Sequence, residues 1–268
     1  MSAAALQRRP GSGARAQTGV VALLLVLAAG AWVLTADRMD GMDAGPGSEL
    51  GGLGWFAATW ALMMAAMMLP SVAPAVAAYR RRAAEPGATP AFAAGYLLAW
   101  VGAGLLAYAL VEGVRSLELG FLAWDEAGRY VAGGVILGGA LYQLTAPKDA
   151  CLRRCREPRA FLAEHWRQGR AGAVRMGVEH GGYCIACCWG LMATLFAVGI
   201  MSVGWMAIVA ALIAAERLLP WKTIAGRTVA VVLALLALGV AFAPEDVPGL
   251  TVPGSDHGAP AMDSMQMR

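Results

Sequence analysis

Long apolar stretches separated by short polar segments run along the whole chain. A helix needs roughly 20 mostly apolar residues to cross the hydrocarbon core of a bilayer. Because the apolar runs are continuous rather than alternating, the pattern argues against membrane-spanning β-strands. It predicts an all-α, polytopic transmembrane bundle of about seven spans. These lie at about 18–36, 54–78, 91–113, 130–146, 179–198, 202–219 and 227–243.

Composition agrees with this pattern. Of 268 residues, 59% are apolar and 15% are charged, whereas a soluble domain is about 45–50% apolar and about 25% charged. One soluble domain of this length cannot bury such an excess, because its surface needs polar cover. The composition excludes an ordinary soluble enzyme, a disordered protein and a small disulfide scaffold.

The positive charges predict an orientation. If the N-terminus is cytoplasmic, all but four of the 21 lysines and arginines fall on the cytoplasmic side. This is the asymmetry that the positive-inside rule describes, so we expect an N-in/C-out protein. The first span has an alternative interpretation as a cleaved signal peptide, although its apolar run is longer than the usual 7–15 residues. The residues on the outer side are Arg38, Arg115, Arg129 and Arg268.

Five cysteines carry the clearest chemistry, and all lie at or near the predicted cytoplasmic face. Disulfides are rare in the reducing cytosol, so clustered thiols there indicate metal binding or redox chemistry. The first pair is spaced to share one helix face, and the other three span an arc of about 100° on a helix. Soft thiolates suit Cu(I), Zn(II) and iron–sulfur clusters. The alternative is that they are small apolar packing residues. The five are Cys151, Cys155, Cys184, Cys187 and Cys188.

His180 lies one helical turn before Cys184 and extends the same stripe. It is a weaker candidate ligand, because Gly181 and Gly182 can interrupt the helix there. The adjacent Glu179 is a candidate partner that would orient the imidazole ring.

Methionine is the second sulfur source. Met63, Met64, Met67 and Met68 share one face of the second span, over about 140°. Thioether sulfur is a neutral soft ligand for Cu(I), and packing is the alternative role. Further methionines lie on the predicted outer side, some in the C-terminal tail with His257; these are Met39, Met42, Met201, Met206, Met262, Met265 and Met267.

Two other features favour structural roles. Gly134 and Gly138 form a GxxxG pattern in the fourth span, flanked by Gly133 and Gly139, and such glycines predict close helix packing. Glu216, beside Arg217 near the inner end of the sixth span, is expected to form an ion pair rather than to relay protons. No catalytic triad, phosphate loop or basic–aromatic surface is present, so we expect no nucleic-acid partner.

Four sequence runs carry a resemblance to a known family: Met63–Pro70, Tyr142–Lys148, Cys151–Pro158 and Gly181–Met192. Together, over roughly residues 55–222, they resemble a bacterial family of predicted metal-binding integral membrane proteins. One branch of that family includes a membrane protein linked to copper supply for a bacterial tyrosinase. The resemblance implies a metal, copper in particular, and a chaperone-like role. Ala186 stands where the family often has Gly.

Together with this resemblance, the observations predict a multi-pass protein of a bacterial inner membrane that binds Cu(I), with zinc as the alternative metal, and delivers it to a periplasmic or extracellular copper enzyme. A membrane thiol–disulfide oxidoreductase and a non-catalytic scaffold are the competing hypotheses, and a homo-oligomer stays open. The predicted organisation comprises an anchor span with an outer loop (1–52), a metal-binding membrane core (53–224), the final span (225–243) and a disordered, methionine-containing outer tail (244–268).

Overall fold

The computed structural model describes residues 10–40, 50–83, 85–117, 120, 123–200, 202–219 and 222–252. Every regular element within these ranges is helical, and no strand occurs among them. The candidate ligands of the outer tail lie outside the described residues, as do two other outer methionines. They are Met42, Met201, His257, Met262, Met265 and Met267.

Nine α-helices make up the described fold. A π-helical turn at Trp124–Gly128 leads directly into α4, and a 3-10 turn at Pro244–Asp246 follows α9. The helices are α1 (Pro10–Met39), α2 (Leu53–Arg82), α3 (Ala88–Arg115), α4 (Arg129–Tyr142), α5 (Ala146–Arg156), α6 (Pro158–His165), α7 (Gly169–Val198), α8 (Val203–Leu218) and α9 (Lys222–Phe242).

Five of these helices are long and apolar enough to cross a membrane: α1, α2, α3, α7 and α9. The predicted fourth and sixth spans correspond to α4 and α8, which have 14 and 16 residues. At 1.5 Å per residue they reach about 21 and 24 Å, less than the ~30 Å hydrocarbon core. The all-helical fold is confirmed and the five apolar helices indicate a membrane protein. The count of seven spans and the orientation stay predictions.

Helix α7 differs from the prediction at its start and is continuous in its middle. It begins at Gly169, ten residues before the expected boundary, and runs unbroken through Gly181 and Gly182. These glycines therefore do not interrupt the helix, and His180 lies on the same helix as Cys184. Polar residues of the first turns lie outside the apolar stretch, which is why hydropathy alone placed the boundary too late.

Glycines bring α3 and α7 into backbone contact. A Cβ atom at Gly177 would collide with the carbonyl oxygen of Phe92, and one at Gly181 would lie 2.6 Å from the Cβ of Ala99. Small residues allow such close approach between membrane helices. The contact holds Tyr96 of α3 beside the cysteines of α7.

Helix α4 packs through the two glycines that flank its GxxxG pair. A Cβ at Gly139 would lie 2.9 Å from the carbonyl oxygen of Gly190 in α7, and a Cβ at Gly133 would lie 2.9 Å from that of Ala237 in α9. Gly134 and Gly138 face open space, with nothing within 4 Å of a Cβ there. Glycine packing in this helix is confirmed, and the flanking glycines rather than the GxxxG pair make the contacts.

Candidate metal centre

Four of the five cysteine side chains meet between α5 and α7. Cys155 Sγ lies 3.8 Å from Cys187 Sγ, and Cys187 Sγ lies 3.5 Å from Cys188 Sγ. Cys155 is 8% exposed, while Cys184, Cys187 and Cys188 are at most 1% exposed. All four are free thiols. We call these four residues the thiol cluster.

The local sequence explains how the cluster forms. Cys184, Cys187 and Cys188 are three and four residues apart on the unbroken helix α7, so they share one face. Helix α5 ends at Arg156 and α6 begins at Pro158, because proline disfavours a helical conformation of the residue before it. This turn leaves Cys155 packed on α7.

Tyrosine hydroxyls frame the cluster on two sides. The hydroxyl of Tyr96 lies 3.0 Å from Cys184 Sγ. Tyr142 donates a hydrogen bond of 2.8 Å to the carbonyl oxygen of Ala186, within the CxxCC turn. Helices α3 and α4 are thereby both connected to the part of α7 that carries the thiols.

Arg217, near the end of α8, contacts the thiol cluster directly. Its Nη2 lies 2.7 Å from Cys184 Sγ, 3.5 Å from Cys187 Sγ and 3.6 Å from Cys188 Sγ. Its Nη1 donates to Ser71 Oγ at 2.9 Å. Sequence reasoning missed this role, since Arg217 was considered only as the neighbour of Glu216. The available signal was an arginine inside an apolar segment, which generally has a partner or a function.

Cys151 lies outside the cluster. It is partly exposed, and within the described residues it makes no hydrogen bond to another thiol. Its neighbour one helical turn later, Cys155, faces α7 instead. The CxxxC spacing therefore brings one cysteine of the pair to the candidate site.

His180 is fully buried one turn before Cys184. Its ring lies among aromatic side chains, 5.0 Å from Phe161 and 6.0 Å from Tyr96 between ring centroids. Neither ring nitrogen has a hydrogen-bond partner among the described residues. An unpartnered buried imidazole is costly, so these nitrogens are available for a ligand.

Glu179 does not orient His180, contrary to expectation. Its Oε1 instead accepts hydrogen bonds from Arg167 at 3.3 Å and Arg175 at 3.2 Å. Arg175 lies one helical turn before Glu179, and Arg167 lies just before α7. The Glu179 carboxylate therefore pairs with these two guanidinium groups and not with the imidazole.

The methionine face of α2 is buried in the core. Met63, Met64, Met67 and Met68 are between 0 and 5% exposed. The shared inward face agrees with both the packing and the ligand interpretation. Met39 and Met206, two of the methionines predicted on the outer side, are also buried, at 2% and 0% exposure.

A buried ion pair holds α5 on the end of α8. Lys148 Nζ lies 2.6 and 2.7 Å from the two carboxylate oxygens of Glu216, and both side chains are 2% exposed. Gln143 also accepts a hydrogen bond from Lys148. The ion pair expected at Glu216 therefore forms, with a lysine from the helix that carries Cys155.

The thiol cluster has donor atoms of the kind that soft metal ions prefer, but its side chains would have to adjust for one ion to bond them. Within the described residues, no group of three or more histidine, cysteine or carboxylate side chains is arranged to hold a metal ion as it stands. The Arg217 guanidinium lies among the sulfurs, so it has to shift for one ion to bond all of them. Hydrogen bonding to Cys184, together with burial, raises the pKa of the Cys155 thiol.

Comparison with known proteins identifies one family. The PpoB2 family, described as copper chaperone, matches residues 57–240. This range covers more than half of the chain and includes the whole thiol cluster, His180 and the methionine face. No curated protein and no solved structure matches the chain.

Proposed function

Because the chain belongs to the PpoB2 copper chaperone family, we propose that it binds Cu(I) at the cytoplasmic edge of the bacterial inner membrane and delivers it to an extracytoplasmic copper enzyme. The observation that carries the proposal is the thiol cluster. Four buried thiols from two helices lie together, with Sγ–Sγ distances of 3.5 and 3.8 Å. Family membership supports copper handling and a non-catalytic role.

The ligand set favours Cu(I). Soft thiolates bind Cu(I) and Zn(II), whereas carboxylates and carbonyls suit harder ions. No carboxylate pairs with a cluster residue in the described part of the chain. His180 Nδ1 and Nε2 are unpartnered one turn away, so the imidazole supplies a further ligand or accepts the ion as it leaves the thiols. Zn(II) is the alternative metal.

The methionine face of α2 provides a second, weaker Cu(I) site after the thiol cluster. Thioethers bind Cu(I) without deprotonation and are weaker ligands than thiolates. Met63, Met64, Met67 and Met68 would receive Cu(I) from the cluster and pass it to methionines on the outer side. Transfer from a stronger to a weaker site proceeds only if an external acceptor removes the ion, so the proposal requires a copper enzyme as client.

The topology we propose has seven spans, with the N-terminus inside and the C-terminus outside. The π-helical turn extends α4 to a continuous helical run from Trp124 to Tyr142. Helix α8 ends at Leu218, one residue after Arg217, which contacts the thiol cluster. In this topology α4 and α8 both cross the membrane, in a bundle whose thiols lie at the cytoplasmic edge, as the positive-inside rule favours.

Binding and delivery are tested with the full-length protein purified in detergent under anaerobic, reducing conditions. Wild type is expected to bind Cu(I) tightly in competition with a chromophoric Cu(I) chelator. A Cys184→Ser/Cys187→Ser/Cys188→Ser variant is expected to lose that binding. In cells, the same variant should lower the copper content of the secreted client enzyme. Equal Cu(I) affinity in the two proteins would overturn the thiol site.

A thiol–disulfide oxidoreductase is the second candidate, because Cys155 Sγ lies only 3.8 Å from Cys187 Sγ. Oxidation of this pair would bond the two sulfurs and release two protons and two electrons to an acceptor such as a quinone. Measuring the midpoint potential separates the two functions. Thiols that stay reduced across physiological potentials would exclude the redox role.

A further inference from the structure

The guanidinium group of Arg217 is a permanent positive charge inside the candidate metal centre. Nη2 lies 2.7 to 3.6 Å from the sulfurs of Cys184, Cys187 and Cys188. A metal ion bonded to thiolates lies about 2.3 Å from each sulfur. A bound ion and the guanidinium would therefore be close neighbours, and arginine cannot relieve their repulsion by losing its proton.

Other contacts fix this charge in place. Nη1 of Arg217 donates to Ser71 Oγ at 2.9 Å. Arg156 Nε donates to the Arg217 carbonyl oxygen at 3.1 Å, which holds the end of α8. In the part of the chain that the structure describes, no carboxylate forms an ion pair with Arg217, since the adjacent Glu216 pairs with Lys148. The cluster sulfurs in contact with Nη2 are thus the groups placed to balance its charge once they are thiolates.

A positive charge at this position distinguishes metal ions by their own charge. With the same sulfurs bound, a Cu(I) complex carries one more negative charge than a Zn(II) complex, regardless of how many protons the thiols lost beforehand. Charges in a buried site are screened less than charges in water. The guanidinium therefore stabilises the Cu(I) complex more than the Zn(II) complex.

We propose that Arg217 is a specificity-determining residue that biases the thiol cluster toward monovalent over divalent soft cations. This inference rests on the proposed function, because it requires that the thiols bind the metal. Arg217 acts through its charge beside the metal ion and is not a ligand. Ser71 is the residue that positions it.

The test measures Cu(I) and Zn(II) dissociation constants for the full-length protein, each by competition with a chelator of that metal at one pH. Arg217→Gln removes the charge and should shift selectivity toward Zn(II) by about tenfold or more, because a unit charge a few ångströms from the metal is lost. Arg217→Lys keeps the charge and should retain most of the wild-type selectivity. The elution profile in size-exclusion chromatography and the helical circular dichroism signal verify the fold of each variant.

A second variant tests the same claim with the arginine present. Ser71→Asp places a carboxylate against Nη1 and neutralises the guanidinium locally, so it should shift selectivity in the same direction as Arg217→Gln. Ser71→Asn is the uncharged control and should shift it less. This pair decides the question if Arg217→Gln does not fold.

The outcomes separate this inference from the proposed function. Thiol-dependent Cu(I) binding with an unchanged selectivity ratio in Arg217→Gln and Ser71→Asp would overturn the role of Arg217 alone. A ratio that moves toward Cu(I) would overturn it as well. If the wild-type thiols bind no Cu(I), both the proposed function and this inference fail.

Discussion

Cys187 contacts two other thiols of the cluster. Its Sγ lies 3.8 Å from Cys155 Sγ and 3.5 Å from Cys188 Sγ, and it donates a hydrogen bond of 3.2 Å to the carbonyl oxygen of Cys184. Cys151, which the spacing also predicted as a ligand, is partly exposed and apart from these contacts. The two cysteines therefore make a matched pair for a ligand test.

Cys187→Ser should weaken Cu(I) binding strongly, whereas Cys151→Ser should leave it nearly unchanged. Mutating the outer partners of metal ligands typically costs 10–100-fold in affinity, so losing a ligand should cost about 100-fold or more. Anaerobic chelator competition measures both constants. A larger loss in Cys151→Ser than in Cys187→Ser would mean that the described cluster is not the binding site.

At the scale of elements, the contact between α3 and α7 determines where the thiols lie. Gly177 has no room for a side chain, because a Cβ there would collide with the Phe92 carbonyl oxygen. Gly134 in α4 has open space around its Cα. A side chain at Gly177 is thus expected to push α3 and α7 apart, whereas one at Gly134 is expected to be harmless.

Gly177→Ala should destabilise the protein by about 1–3 kcal/mol, as is typical for overpacking. Gly134→Ala should be neutral or slightly stabilising, because alanine has the higher helix propensity. Thermal unfolding in detergent, followed by tryptophan fluorescence, measures both effects. Equal melting temperatures for the two variants would contradict the close packing of α3 and α7.

A second prediction at the scale of elements concerns the Lys148–Glu216 ion pair, which joins α5 to α8. Removing one partner of a buried pair costs about 3–5 kcal/mol, whereas replacing both by apolar residues is often neutral. Lys148→Met alone should therefore destabilise the protein and weaken Cu(I) binding, since α5 carries Cys155. The double variant Lys148→Met/Glu216→Leu should recover much of the stability. Additive losses in the double variant would show that the pair is not coupled.

At the scale of the whole molecule, the number of helices that cross the membrane determines the side on which each connecting segment lies. Seven spans put the segment between α5 and α7 on the cytoplasmic side, together with the segment after α2. If only the five long helices cross, the two segments lie on opposite sides. Residues exposed in these segments are Glu85 and Arg159, and Glu245 is exposed after α9.

Single cysteines at these positions, in a chain whose native cysteines are serine, report the topology. In spheroplasts, Glu245→Cys should react with an impermeant thiol reagent, while Glu85→Cys and Arg159→Cys should react only after lysis. Labelling of Arg159→Cys without lysis would reduce the spans to the five long helices and move Cys155 away from the cytoplasm.

Features that depend on residues close together in the chain were predictable from the sequence. The apolar stretches predicted an all-helical fold, and spacing along one helix predicted that Cys184, Cys187 and Cys188 share a face. Contacts between distant segments were not predictable from spacing. Arg217 reaches the thiols from α8, 29 residues beyond Cys188, and the register of the packing glycines depends on the partner helix.

The proposed function depends on Cu(I) binding to the cysteine sulfurs of α5 and α7. X-ray absorption spectroscopy at the copper edge identifies the atoms bonded to the metal, using anaerobically loaded wild type and the Cys184→Ser/Cys187→Ser/Cys188→Ser variant. Wild type should show a Cu(I) edge and a coordination shell dominated by sulfur, and the variant should lose this signature. A shell dominated by nitrogen or oxygen in wild type, or identical spectra from both proteins, would mean that these sulfurs are not the copper ligands.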